Sequence, residues 1–199
     1  MAVTDSMQKK ILMGIIAVLV IVGGIYFVGN NGAKTPQPAQ TSGNGVEEFR
    51  KGRALTKEKK LKEALDMYIQ AAEKGNLHGM NHAGMYLCNG YGGIEKDVTK
   101  GIDYLTKAAD AGFSPAQVNL GRAYMNPQYG LKRDLDKGLK YFLAAAEKNN
   151  SMAMLYMGFN YEVGRGVEKS KEKALEWYEK AEKLGNKAAK KRADSLRNQ

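Results

Sequence analysis

Lys100-Gly-Ile-Asp-Tyr-Leu-Thr-Lys-Ala-Ala-Asp-Ala-Gly112 has close copies on both sides of it in the chain. Upstream stands Glu63-Ala-Leu-Asp-Met-Tyr-Ile-Gln-Ala-Ala-Glu-Lys-Gly75, and downstream Lys137-Gly-Leu-Lys-Tyr-Phe-Leu-Ala-Ala-Ala-Glu-Lys-Asn149. A looser fourth copy is Lys173-Ala-Leu-Glu-Trp-Tyr-Glu-Lys-Ala-Glu-Lys-Leu-Gly185. The closing residues fall at 75, 112, 149 and 185, in steps of 37, 37 and 36. A period in that range marks a stacked array in which no unit buries its apolar face alone.

Within each copy the apolar residues recur at helical spacing. In the second they are Ile102, Leu105 and Ala109, with Tyr104 and Ala108 widening the face. Asp97, Asp134 and Ser170 precede three of these helices as N-caps, where a side-chain oxygen accepts from a free backbone amide. Gly75, Gly112 and Gly185 close the helices, with Asn149 as the tolerated substitute. An earlier half of each unit aligns as well: Gly84, Gly121 and Gly158 lie 37 apart, each followed three positions on by Leu87, Tyr124 and Tyr161. A glycine inside a helix costs about 1 kcal/mol relative to alanine. Its recurrence at one position implies that a neighbouring helix packs closely there. The halves are joined by Gly90-Tyr-Gly-Gly-Ile94, Pro127-Gln-Tyr-Gly-Leu131 and the shorter Gly164-Arg-Gly-Val167.

Leu120-Gly121-Arg-Ala-Tyr124, Met157-Gly158-Phe-Asn-Tyr161-Glu-Val-Gly164-Arg-Gly166-Val167 and Lys173-Ala174-Leu-Glu-Trp177-Tyr178-Glu-Lys-Ala181 together resemble the Sel-one-like repeat (SLR) family, an α/α relative of the tetratricopeptide repeat. Ala83 and Leu87 depart from the family's Leu and Tyr, and Pro127 from its Gly. The resemblance implies an all-α, right-handed superhelix of helix-turn-helix repeats, about nine helices in all. Residues 77–186 make three such repeats. Residues 46–76, in which Gly52 precedes Gly84 by only 32, look closer to a tetratricopeptide repeat. Residues 187–199 are rich in Lys and Arg and are expected to form a polar capping helix, with contact to lipid or cell-wall carboxylates as a second reading.

The first 45 residues have another character. Ile11 to Val28 is an uncharged run whose 18 residues would rise about 27 Å as a helix, close to the hydrocarbon core of a bilayer. Lys9 and Lys10 precede it. By the positive-inside rule, residues 1–10 are expected in the cytoplasm and the repeats on the far side of a signal anchor at 11–28; the expected setting is a bacterial inner membrane with the repeats in the periplasm. A cleaved signal peptide is the alternative, for which Val22-Gly23-Gly24 is a weak cleavage site. Residues 29–45, rich in Gly, Pro, Ser, Thr, Asn and Gln, are expected to be a flexible tether.

The chain carries 31 basic and 21 acidic side chains, for a net charge of +10. This favours acidic partners or anionic surfaces, but no nucleic-acid motif accompanies it. Cys88 is the single cysteine and falls in an apolar helical pattern, where a buried hydrophobe is expected. His78 and His82 are four apart on one helix, but Gly79 stands where a metalloprotease helix carries Glu, and no third ligand is in phase. Cys88 and His82 fall on different helix faces. Glu176, Glu179 and Glu182 lie among lysines as surface pairs. No catalytic, metal or cofactor site and no small-molecule substrate is expected.

The family template places one helix of each unit on a concave face. Its exposed positions are expected at Arg53, at Asn81, Met85 and Asn89, at Arg122, Met125 and Asn126, and at Leu155, Phe159 and Glu162. Apolar groups among them would suit a peptide or helix, unless stacking buries them. The resemblance implies a non-catalytic, membrane-anchored adaptor for a protein partner. A periplasmic immunity protein that neutralises a toxin and a cell-wall-binding accessory are the alternatives.

Overall fold

Each capping signal marks a real helix start. The computed structural model describes residues 44–126 and 129–198, and Ile11–Val28 with nearly all of the tether lies outside them. Nine helices follow one another among the described residues: α1 (Val46–Lys57), α2 (Leu61–Glu73), α3 (Leu77–Asn89), α4 (Val98–Asp110), α5 (Ser114–Met125), α6 (Leu135–Ala146), α7 (Ser151–Val163), α8 (Lys171–Lys183) and α9 (Lys187–Arg197). A 3-10 turn, Tyr91–Gly93, sits in the first long loop. Among the described residues there is no strand, and no helix long and apolar enough to cross a membrane.

Asp97 and Asp134 each accept a backbone N–H at 2.9 Å, from Lys100 and Lys137, and Ser170 accepts from Lys173 at 3.2 Å. A second set of caps opens the other helix of the units. Asn76, Asn150 and Asn186 accept from the first turns of α3, α7 and α9. Each also donates backwards into the preceding unit, to the Asn44 carbonyl, the Ser114 hydroxyl and the Ser151 carbonyl respectively. Phe113 holds the equivalent place before α5 and has no capping oxygen. Pro115 in that first turn removes one donor that would need a partner.

At the helix ends, Gly75, Gly112 and Gly185 have φ of 85°, 83° and 81°, and Asn149 adopts the same left-handed conformation at 58°. The loops close alike: the amides of Asp97, Asp134 and Ser170 donate to the carbonyls of Leu87, Tyr124 and Tyr161. This explains why those three positions stay in phase although the last loop is shorter.

Each helix packs chiefly on its sequence neighbours, so the core is a line of overlapping clusters. Tyr68 and Leu65 anchor the first, Leu105, Leu120 and Cys88 the second, Phe142, Tyr178, Met154 and Met157 the third. The in-phase glycines make this spacing possible. A Cβ on Gly84 would sit 2.8 Å from the Gly101 carbonyl oxygen, and one on Gly121 would sit 2.6 Å from the Phe142 ring. Gly158 faces the Tyr178 ring in the same way. At the far end α9 buries Ala189, Ala193 and Leu196 and leaves its basic side chains outward. Arg192 and Arg197 pair with Glu162 and Glu179 of the units beneath.

Candidate functional site

The first helices of the third and fourth units, α5 and α7, enclose a small cleft of about 60 Å³. Phe142 and Tyr156 form its apolar floor, their rings stacked with centroids 5.0 Å apart. Arg122 stands over the Tyr156 ring at 6.0 Å. From the loop after α7, Arg165 reaches back and donates to the Met125 carbonyl and, at 2.8 Å, to Asn126 Oδ1. Gly164 and Gly166, at φ of 71° and 73°, turn the chain on either side of Arg165 so that it points there. Partial burial, with the nearby Arg133 charge, lowers the Arg165 pKa. Neither Arg122 nor Arg165 has a carboxylate partner among the described residues.

Toward the C-terminus the charge is compensated. Phe159 lies 4.8 Å beneath the Arg192 guanidinium, which pairs with Glu162 at 3.2 Å. Glu162 also accepts the Tyr178 hydroxyl. Burial and this carboxylate push the Tyr178 phenol far up, so it remains a donor.

Toward the N-terminus the same side of the array is lined with rings. Tyr68 stacks on His82 at 4.7 Å, Phe49 lies 5.4 Å from His82 and 5.1 Å from His78, and His78 meets Phe113 edge-on at 4.6 Å. Burial, with Arg53 adding its charge, lowers both histidine pKa values, and His78 contributes to the shift at His82. The imidazoles are thus held neutral among rings. Among the described residues no three His, Cys, Asp or Glu side chains gather as a metal site. Cys88 is 1% exposed, and burial pushes its thiol up to about 11, where it is protonated at neutral pH.

The ten positions expected on one face therefore divide. Arg122, Asn126 and Phe159 meet at the cleft, with Arg53 exposed at the N-terminal end and Glu162 half-buried at the C-terminal end. Met125 lines the same cleft, yet it is 2% exposed and packs against Gly138, so it is core and not a projecting contact. Asn81, 9% exposed, accepts from Asn119 at 2.8 Å and ties α3 to α5. Asn89 donates to the Met85 carbonyl and accepts from the Tyr129 hydroxyl. Met85 and Leu155 are half-buried against the second and third clusters. Sequence reasoning missed Arg165 and Tyr156. Arg165 was hidden because a Gly-Arg-Gly loop shows no direction until its two left-handed turns are seen.

The Sel1 repeat model matches residues 48–76, 77–113, 114–150 and 151–186, one segment for every helix pair. The chain belongs to the Sel1 repeat family. That match includes the first unit, residues 48–76, where the short connection leads one to expect a tetratricopeptide-like repeat. A Sel1 repeat protein from Oxalobacter formigenes superimposes with a TM-score of 0.69 at 29% identity, over 76% of this chain and 63% of that one. A protective antigen of uropathogenic Escherichia coli strains, which displays an SLR fold, gives 0.68 at 30% identity, over 77% of this chain and 33% of that one. Helicobacter pylori cysteine rich protein B gives 0.51 at 29% identity, over 66% and 92%. This Sel1 repeat protein thus spans less than two thirds of the first two structures. Among curated proteins nothing matches it.

Proposed function

We propose that this Sel1 repeat protein is a non-catalytic adaptor that holds a partner protein along the first helices of its units, with the cleft at Arg122 and Arg165 as the anchor. Sel1 repeats generally mediate protein–protein interaction. The observation that carries the reading is a pair of guanidinium groups without carboxylate partners among the described residues, Arg122 over the half-buried Tyr156 ring and Arg165 held at Asn126, in a cleft that Phe159 also lines. Arginine and aromatic side chains dominate interface energetics because they offer area, directed donors and modest entropy loss together. The complementary partner carries a carboxylate beside a small apolar group.

The run Ile11–Val28 with Lys9 and Lys10 before it supports a single-pass anchor that places the repeats on the periplasmic side of a bacterial inner membrane. An anchored array then meets membrane-bound partners at raised effective concentration. Crosslinking the intact protein in its native membrane, beside an Arg122→Ala/Phe159→Ala variant, tests the adaptor role. One stoichiometric partner lost in the variant supports it; a partner retained in full removes the cleft from the account. A toxin captured in that position would make the protein an immunity factor, and salt-sensitive retention on peptidoglycan a cell-wall accessory. A reporter enzyme active only outside the cytoplasm, fused after residue 199, tests the orientation.

A further inference from the structure

The groove between the second helices α4 and α6, floored by α5, differs from its equivalents elsewhere in the array. It opens into a cleft of about 620 Å³. Its floor carries Gln117, which is 7% exposed. The Gln117 Nε2 donates to the Ala109 carbonyl at 3.2 Å, which fixes the orientation of the amide. The Oε1 is fully buried and has no hydrogen-bond partner. Buried amide oxygens are nearly always satisfied, so an orphan lining a cleft asks for a donor.

The repeat supplies an internal control. The positions equivalent to Gln117 are Met80 and Met154, both apolar. Ala144, on the wall of the cleft, corresponds to Lys107 in α4 and Lys180 in α8. At this junction alone of the three, the floor is polar and a long side chain is missing from the wall. The two changes together leave a space with an unmet acceptor buried in its floor.

The charge around the cleft gives the donor its character. Asp110 and Asp136 lie on its rim with no ion pair among the described residues. The Asp110 charge, after burial, raises the Tyr141 phenol pKa, which places the carboxylate close to that side of the cleft. Lys137, on the cleft lining, is drawn aside: it donates to the Tyr124 hydroxyl at 2.8 Å and sits over that ring at 4.3 Å. Lys140 is exposed at the rim.

We infer that this groove is a binding site for a cationic N–H donor, an alkylguanidinium or alkylammonium group, which donates to Gln117 Oε1 and is flanked by Asp110 and Asp136. The site is separate from the cleft at Arg122 and Arg165 and does not depend on the adaptor role. The same chemistry is offered by a free amine and by an arginine or lysine side chain of a polypeptide.

The test uses the full chain and follows the Gln117 side-chain amide by ¹H–¹⁵N NMR during titration with methylguanidinium and with methylammonium, then with an arginine-containing tripeptide amide. A saturable shift confined to residues 109–117 and 134–144 is expected for at least one probe. Tighter binding of the peptide than of the small cations assigns the site to a polypeptide side chain, and equal binding assigns it to free amines. Gln117→Met and Ala144→Lys restore the residues found at the sister junctions and should each weaken binding at least tenfold. Retained helicity by circular dichroism shows that they fold. A shift that never saturates leaves the oxygen to solvent water, and unchanged affinity in Gln117→Met removes it from the site; either result overturns the inference.

Discussion

One side of this array carries two surfaces built on the same backbone. Around α1 and α3 the side chains that face outward are rings, Phe49, His78 and His82, joined by Phe113, and Arg50, Arg53 and Lys57 line the groove beside Phe49. Around α5 and α7 they are Arg122, over the Tyr156 ring, and Arg165, held at Asn126, with Phe142 buried beneath the cleft. The closures of the three long loops and the in-phase glycine contacts recur along the array, while the asparagine cap gives way to Phe113 before α5. The difference lies in a few positions that the stacking does not constrain, and those are where a repeat protein acquires a partner.

The largest effects should come from the glycines under each surface. Gly84→Ala drives a methyl group toward the Gly101 carbonyl, and Gly121→Ala drives one into the Phe142 ring. Each should cost about 1–3 kcal/mol in chemical denaturation. Only Gly121→Ala should also weaken partner binding, since Phe142 floors the cleft. Equal loss of binding in both would show that the two surfaces act as one.

Arg122→Ala and Arg165→Ala come next. Each should weaken the captured complex about thirtyfold, the ~2 kcal/mol scale of an interface hot spot, while Arg53→Ala changes it little. The reverse ranking would move the site to the ring-lined half. Asn150→Ala removes a cap and the bond back to Ser114 and should cost about 1 kcal/mol of stability, read as a lower melting temperature.

The smallest effect sharpens the comparison by pH. His82 has a lowered pKa in the folded chain, so the unfolded chain binds the proton more tightly. Its contribution to stability is complete above the unfolded value of about 6.5 and is lost as pH falls through the folded value. Melting temperatures measured between pH 7.5 and 5 should therefore decline in the parent and decline less in His82→Phe. An identical decline in both would place the titration elsewhere.

The repeat register, the aspartate and serine caps, the left-handed helix ends and the tight glycine contacts were all legible in the sequence. Each is a local rule repeated in phase. The inward rotation of Met125 and Asn81 was not, because exposure on a stacked helix depends on what the helices packed against it present. Asn119 and Gly138, more than ten residues away in the chain, decide it. The asparagine caps were missed for another reason: Asn76, Asn150 and Asn186 recur with Phe113 interrupting the series, so the pattern is broken at the unit that carries the cleft. Arg165 became readable only through the loop that aims it.

The central claim is that the partner sits on the cleft between α5 and α7. A photo-crosslinking amino acid placed at Phe159, and separately at the exposed Leu143 of α6, in the intact protein tests it most directly. Illumination should join one partner to the chain through position 159 and leave position 143 without an adduct. Adducts from position 143 alone, or the same adducts from both, would contradict the account.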